Sequence, residues 1–451
     1  MAGARVFLIS ANVETVPVPA YPVAIARLAG ALERAGHHAE QFDVLVHGIP
    51  ALAGRVSDYN PDLVAVSLRV IDNVTCDDSK SYVSVYANIL DAVRKNSGAP
   101  VVLGGSAFSL FPEILMERLG ADYGVTGPGE IALCSIADSI NRSGKKPDRG
   151  EIINGHGESA TGGKPEISKS EHDAGLVKFY FEKAGMIGLQ AKRGCIFHCS
   201  YCTYPLIDGS DLTWYDPSEM AGELEFLKKE HGVDYFFIVD SVFNLDAEKE
   251  AAFAEEIIAR NLDISWGAFF TPAGISAEYL GLLVKSGLKH VEFGTEAFSD
   301  TMLESYCKSF SVADALNATA ACIDAGANAA HYLLFGGPGE DERTVRETME
   351  NARHLDRCVF FPFAGVRIYP GTGLHRRAVA DGVVAPGCDC FDPVFYISPK
   401  ITTGRIWEIA DLYAGGARRW VTPDSYAKME PVMSRMRARG KKGPLWEYLL
   451  Y

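Results

Sequence analysis

The sequence predicts an α/β fold: a doubly wound parallel sheet, then a partial barrel, then a small, mostly helical C-terminal cap. Three observations predict it. Short apolar strands alternate with helical patterns over residues 1–142. A stretch rich in Gly, Ser, Lys and Glu then interrupts the alternation, and a second strand–helix series follows it. Strands that are apolar on both faces belong in parallel sheets covered by helices.

Arg5-Val-Phe-Leu-Ile-Ser10 reads as the first strand. Residues 23–35 have helical apolar spacing and stop at Gly36. Further strands are predicted at Leu63–Leu68, Pro100–Gly104 and Tyr123–Val125, with a helix around Val83–Lys95. Residues 143–185 are assigned as a linker, because 143–175 lack apolar periodicity. The second series has strands near 187–192, at Tyr235–Val239, Ile264–Phe270, His290–Phe293, Ala330–Phe335 and Ala364–Tyr369. Helical segments separate them. Six β/α units over 186–380 predict a TIM-type (β/α)6 barrel, two units short of closure. Residues 381–451, with Trp407, Trp420 and Trp446, form the cap.

Bulk properties narrow the function. The 451 residues are 47% hydrophobic and 22% charged, as in ordinary globular proteins. No apolar run approaches the ~20 residues needed to span a bilayer, and the N-terminus is too quickly polar for a secretory signal. A cytoplasmic protein without a membrane partner is expected. The net charge of −15 argues against a nucleic-acid partner. Seven of the ten cysteines are scattered, and Cys388-Asp-Cys390 without further ligands is weak evidence for a metal.

The other three carry the chemistry. Cys195-Ile-Phe-His-Cys199-Ser-Tyr-Cys202 follows the first strand of the second series, on the face where barrels hold their active sites. One loop with this spacing can present three thiolates to one iron–sulfur cluster. Such clusters usually take four cysteines, so three leave one iron open to a ligand. Two other readings stand beside this one. Three buried cysteines could lie together by chance, or a zinc ion could bind, although zinc wants a fourth ligand and His198 is poorly spaced to be one.

The loop resembles the hallmark of the radical SAM superfamily, and the resemblance runs through the second series. It implies a [4Fe-4S] cluster on Cys195, Cys199 and Cys202 that binds and reductively cleaves S-adenosylmethionine (SAM). The segment Asp240-Ser-Val-Phe-Asn244 ends the second strand, which implies that Asp240 and Asn244 lie near the SAM amino group. Glu296, ending the fourth strand, matches the position that contacts the ribose. Gly336 and Gly337, after the fifth, resemble the adenine-side motif. An external flavodoxin- or ferredoxin-like electron donor is implied as well.

The first domain resembles the Rossmann-like cobalamin-binding domain that precedes the barrel in one radical SAM subclass. The match implies that Gly104, Gly105 and Ser106 flank the nucleotide tail of cobalamin. The chain departs from that pattern in two places. It has no Asp-x-His-x-x-Gly motif, so no histidine ligand to cobalt is expected, and Arg69 could lie beneath the cofactor or simply form a loop salt bridge. Thr126-Gly-Pro-Gly-Glu130 also stands where relatives carry Gly-Glu-Gly-Glu.

Two reactions on a small polar metabolite follow. One is cobalamin-dependent methyl transfer to carbon. The other is cobalamin-independent radical dehydration of an aminoglycoside-like diol, with proton carriers among Tyr204, Asp208, Asp216, His331 and Tyr369. Methyl transfer is preferred because the cobalamin-type loops are kept. A non-catalytic cobalamin or SAM sensor is a third possibility, but it would have no need of a reducible cluster. The abundance of Ala, Gly and Arg suits specialised, antibiotic-type biosynthesis.

Overall fold

Strand β1 (Arg5–Ser10) is buried at every position after Arg5, so it needs neighbours on both edges and helices on both faces. The computed structural model describes residues 3–143, 150–156 and 169–450 and supplies both. Strands β2 (His38–Asp43) and β3 (Leu63–Ser67) flank β1. They are joined by β4 (Val101–Gly104), β5 (Tyr123–Thr126) and β6 (Glu151–Asn154). The six run parallel in the order β2-β1-β3-β4-β5-β6. The strand order reverses between β1 and β3. Open sheets of this type bind ligands beyond the strand ends at such a point, here past Ser10 and Ser67.

Two elements of this sheet are absent from the sequence reading. Strand β2 is only partly buried and largely polar, so it lacks an apolar run. Strand β6 falls inside the predicted linker 143–185, and its register with β5 extends the sheet to Asn154. Helix Ala174–Ala184 also lies in that interval. Asp173 caps it by accepting from the Leu176 amide, and Leu176, Val177 and Tyr180 are buried. The remaining linker residues, 144–149 and 157–168, lie outside the described residues.

The second sheet contains β7 (Ile187–Leu189), β10 (Tyr235–Ile238), β11 (Ser265–Phe270), β12 (Leu288–Glu296), β13 (Asn328–Phe335) and β14 (Cys358–Ala364). All are parallel in that order. Between β7 and β10 a small hairpin, β8 (Lys192–Arg193) with β9 (Thr213–Trp214), brackets the cysteine loop. The sixth barrel strand is 358–364 rather than 364–369. Pro362 makes that segment read as a break, since proline offers no amide donor. On edge strand β14 the missing donor costs nothing, because the neighbouring Phe360 amide already points outward to the Arg419 carbonyl. After Gly365, β15 (Val366–Arg367) leaves the barrel and pairs with β16 (Phe395–Tyr396) of the cap.

The two sheets share one hydrophobic core, in which Val6, Leu8, Ala65 and Val102 join Leu189, Phe236 and Ile238. Buried polar bonds fix the seam. Arg367 Nε lies 3.0 Å from Asp72, Arg193 Nη1 lies 3.0 Å from Glu130, and Arg27 Nη2 donates to the Gln190 carbonyl at 2.8 Å. Among the described residues no helix is long and apolar enough to cross a membrane.

The cap closes the barrel floor. Trp446 packs against Ala330, Val359 and Phe361 and donates to Glu292 at 3.1 Å, while Glu447 accepts from Asn328 at 2.7 Å. Trp446→Ala is expected to lower stability by about 3–5 kcal/mol, the usual loss for a buried aromatic. Urea unfolding followed by circular dichroism measures it.

Candidate functional site

The site is built from loops at the C-terminal ends of the barrel strands. Its entry is anchored by an ion pair. Lys192 Nζ lies 3.1 Å from Asp240, and both side chains are fully buried. The other Asp240 oxygen accepts from the Ala191 and Lys192 amides at 2.8 and 3.1 Å. From this anchor the chain turns through Gly194 into the cysteine loop, whose Cys202 amide returns to the Cys199 carbonyl at 3.1 Å.

Cys195, Cys199 and Cys202 line one cavity of about 200 Å³ with Tyr201, Tyr204, Phe269, Thr271, Gly294, Glu296 and Lys308. All three are free thiols. Burial pushes the Cys202 thiol up to about 12 and raises Cys199 as well, with Lys308 pulling Cys199 back. Opposite them Glu296 sits at φ +64°, a left-handed conformation that is costly for a residue with a side chain. Its Oε1 is held by Tyr201 Oη at 2.7 Å and Lys308 Nζ at 3.1 Å, and Lys308 also donates to the Gly294 carbonyl at 2.9 Å. Burial would lower the pKa of Lys308, but Glu296 and Cys199 outweigh it and the shift is upward. The cavity therefore holds a fixed cation beside the thiols.

The segment after the cysteines packs on the first domain. Helix Tyr204–Ile207, directly after the cysteines, packs against helix Ser106–Leu110 at the end of β4. Gly105 makes the strand-to-helix turn at φ +91°, where an added Cβ would fall 2.6 Å from the Leu68 carbonyl oxygen. Arg69 is exposed at the end of β3, beside Tyr86 and Tyr204. The ligand edge of one sheet thus faces the mouth of the other.

Comparison with known proteins agrees with this arrangement. Residues 9–137 match the B12 binding domain, and residues 190–352 match the radical SAM superfamily. The chain joins a B12-binding domain to a radical SAM domain. It is 25% identical to a tryptophan 2-C-methyltransferase of Streptomyces laurentii, over 82% of this chain and 74% of that one. The fold matches the radical S-adenosylmethionine methyltransferase TsrM of Kitasatospora setae, solved with cobalamin and a [4Fe-4S] cluster. The TM-score is 0.84 at 22% identity, covering 99% of this chain and 97% of that one. The cobalamin-dependent S-adenosylmethionine radical enzyme OxsB matches at a TM-score of 0.71 and 14% identity, covering 97% of this chain and 71% of that one.

The radical SAM domain has a donor set that suits an iron–sulfur cluster, since three free thiols and no carboxylate competitor but Glu296 surround one cavity. Among the described residues no three His, Cys, Asp or Glu side chains converge on the position of one metal ion. A cubane spreads its thiolates over several irons and asks for wider spacing than a single ion does.

Of the residues named from sequence, Asp240, Asn244, Asp216, His331 and Tyr369 are held by other partners, whereas Asp208 and the Gly336–Gly337 turn stay at the ends of their elements. Asp240 is consumed by Lys192 and two amides, so it orders the cysteine loop instead of facing a ligand. Asn244 exchanges two hydrogen bonds with the Thr271 backbone, at 2.9 and 2.8 Å, which uses both ends of its amide. Asp216 caps helix Pro217–His231, accepting from the Ser218 and Glu219 amides. His331 points out of the barrel into the helical layer. It contacts Thr295 and Thr319 at 2.8 and 3.0 Å, and burial lowers its pKa to about 3. Tyr369 lies in the seam against Phe111 and Arg367. Asp208 ends the short helix after the cysteines near Arg193, with its carboxyl raised by burial. Gly336 and Gly337 form the turn after β13, and a Cβ on Gly337 would meet Tyr306 Oη at 2.3 Å. The Cys388–Cys390 pair, with Sγ atoms 3.5 Å apart, belongs to the cap and does not line the cavity.

Sequence reasoning missed Lys308 and Tyr201. Tyr201 stands inside the cysteine motif and was open to notice. Lys308 follows a short helix with no local pattern to mark it. A wider hollow of about 390 Å³ lies at the other end of the barrel, lined by Asp234, Asp263, Lys289 and Lys442, with no thiol near it.

Inside the barrel, below the cavity, burial pushes the Glu292 carboxyl up to about 7 despite hydrogen bonds from Tyr332 and Trp446. The unfolded chain ionises this group near 4.5 and the native chain only near 7. The native state therefore holds the extra proton, and its stability falls as pH rises from 4.5 to 7. The slope from this group is at most roughly 1.4 kcal/mol per pH unit. Glu292→Gln should flatten the decline, read as urea midpoints at pH 5 and pH 8.

Proposed function

We propose that this chain is a cobalamin-dependent radical SAM methyltransferase that transfers a methyl group to carbon of a small molecule. The observation that carries the proposal is the facing of the three-thiol cavity and the ligand edge of the B12-binding domain across one seam, where helix 204–207 meets helix 106–110. When bound, the cluster with SAM supplies reductive cleavage of a carbon–sulfur bond, and cobalamin supplies the methyl carrier.

The chain's own residues bind, orient and exclude water. Cys195, Cys199 and Cys202 hold the cluster. Glu296, fixed by Tyr201 and Lys308, offers its second oxygen to a ribose hydroxyl. The turn at Gly336 and Gly337 admits the adenine edge. Gly104, Gly105 and Ser106 would flank the nucleotide tail of a bound cobalamin, and Arg69, exposed at the end of β3, would face it. Tyr204 and Asp208 are the candidate proton carriers that stay beside the cysteines. Arg193 with Glu130 and Arg367 with Asp72 keep the seam closed to solvent. An external flavodoxin- or ferredoxin-like donor would supply the electron, and a cytoplasmic location in an antibiotic-type biosynthetic setting suits such a partner.

The test is anaerobic reconstitution with iron, sulfide and hydroxocobalamin, followed by desalting. One cobalamin per chain should be retained and should become methylated when SAM and reductant are added. A chain that builds its cluster but keeps no cobalamin overturns the proposal.

A further inference from the structure

The barrel interior is walled by rings. Along β10, β11, β13 and β14 the inward-facing positions carry Phe237, Phe269, Tyr332, Phe361 and Phe363. Tyr332 stacks on Phe361 at 5.1 Å and 19°, and lies nearly parallel to Phe363 at 6.4 Å and 14°. Phe269 meets Tyr332 edge-on at 6.0 Å, and Phe237 meets Phe269 at 5.1 Å. The wall is continuous with the cysteine cavity, because Phe269 lines both. Its inner surface is open in part: Phe363 is 36% exposed, and Phe269 and Tyr332 are half-buried.

Polar groups in this space are few and already engaged. The Tyr332 hydroxyl donates to Glu292 at 2.8 Å, and the other Glu292 oxygen takes the Trp446 indole. Two buried groups beside the wall have no hydrogen-bond partner among the described residues: Thr271 Oγ1, which lines the cysteine cavity, and His290 Nε2, on a ring stacked against Phe237. A polyhydroxylated ring stacked on this wall would give up water at every hydroxyl and find few partners. A flat aromatic ring would find stacking faces, with one hydroxyl at its edge.

We propose that the substrate is a planar aromatic molecule that stacks on Phe269, Tyr332 and Phe363 and places a polar edge group on Thr271, rather than a polyol. This inference rests on the methyl-transfer reading of the same site. It concerns binding alone and can fail independently of it.

The test uses the full-length reconstituted protein and saturation-transfer NMR with three probes: indole, naphthalene and 2-deoxystreptamine. Indole and naphthalene should receive saturation and the aminocyclitol should not. Phe363→Leu, a mild change at a partly exposed position, should weaken both aromatic probes about tenfold. Thr271→Val should weaken indole, which carries an N–H, and leave naphthalene unchanged. Binding of 2-deoxystreptamine without the aromatic probes, or aromatic binding indifferent to Phe363→Leu, overturns the inference. The wild-type comparison decides even if a variant misfolds. Methylation of bound cobalamin by SAM, measured without any acceptor, reports separately on the methyl-transfer reading.

Discussion

Cys199→Ala should abolish both the visible absorbance of the reconstituted cluster and the cleavage of SAM. Three thiols line the cavity, and a cluster already one protein ligand short of four does not survive on two. The turn that presents them is made by the backbone, Cys202 amide to Cys199 carbonyl, so the variant should keep its fold. Cys307→Ala is the control. Cys307 is exposed and does not line the cavity, and its loss should leave iron content and SAM cleavage unchanged. Iron analysis, absorbance and detection of 5′-deoxyadenosine on one preparation make the check. Retained cleavage in the Cys199 variant would falsify the cluster assignment.

Lys192→Met leaves Asp240 charged in a site that water does not reach, with only the Ala191 and Lys192 amides to balance it. Removing one partner of such a pair costs roughly 3–5 kcal/mol. That is a large part of the ~5–15 kcal/mol by which domains are stable. Lys192 also reaches the Val242 carbonyl and lies over Trp214 at 5.2 Å, so the β8/β9 hairpin that brackets the cysteines should loosen with it. We expect a lower urea midpoint and poorer iron incorporation together. The double variant Lys192→Met, Asp240→Leu removes both charges and should recover most of the stability, because a buried ion pair is often no better than apolar packing. An unchanged midpoint in the single variant would show that Asp240 is hydrated.

Much of the site's wider frame was legible because its signals are local. The cysteine loop is one short segment, and its spacing survives any packing. Helix 23–34 and strands β1, β3, β4 and β10 announce themselves by period or by apolar runs. The misses were elements whose reason lies elsewhere in the chain. Strand β2 is polar and earns its place only by pairing with β1. Strand β6 sits in a region of linker-like composition, yet it finds the open edge of β5. Strand β14 carries a proline that only an edge can accept.

The sequence by itself determined the three-thiol loop, the order of the two sheets and the strand-to-helix turn at Gly104 to Ser106, all set by neighbours within a few residues. Only the tertiary structure decided which strand-end side chains face the cavity. Asp240 and His331 were sensible candidates by position, but one is consumed by Lys192 and the other points into the helical layer. Lys308, with no motif around it, reaches the thiols because helix 300–305 returns it there, and the ring-walled interior is assembled from four strands. The physical reason is that a side chain's partner in a barrel comes from the next strand, tens of residues away. Its direction follows from registers that local pattern does not record.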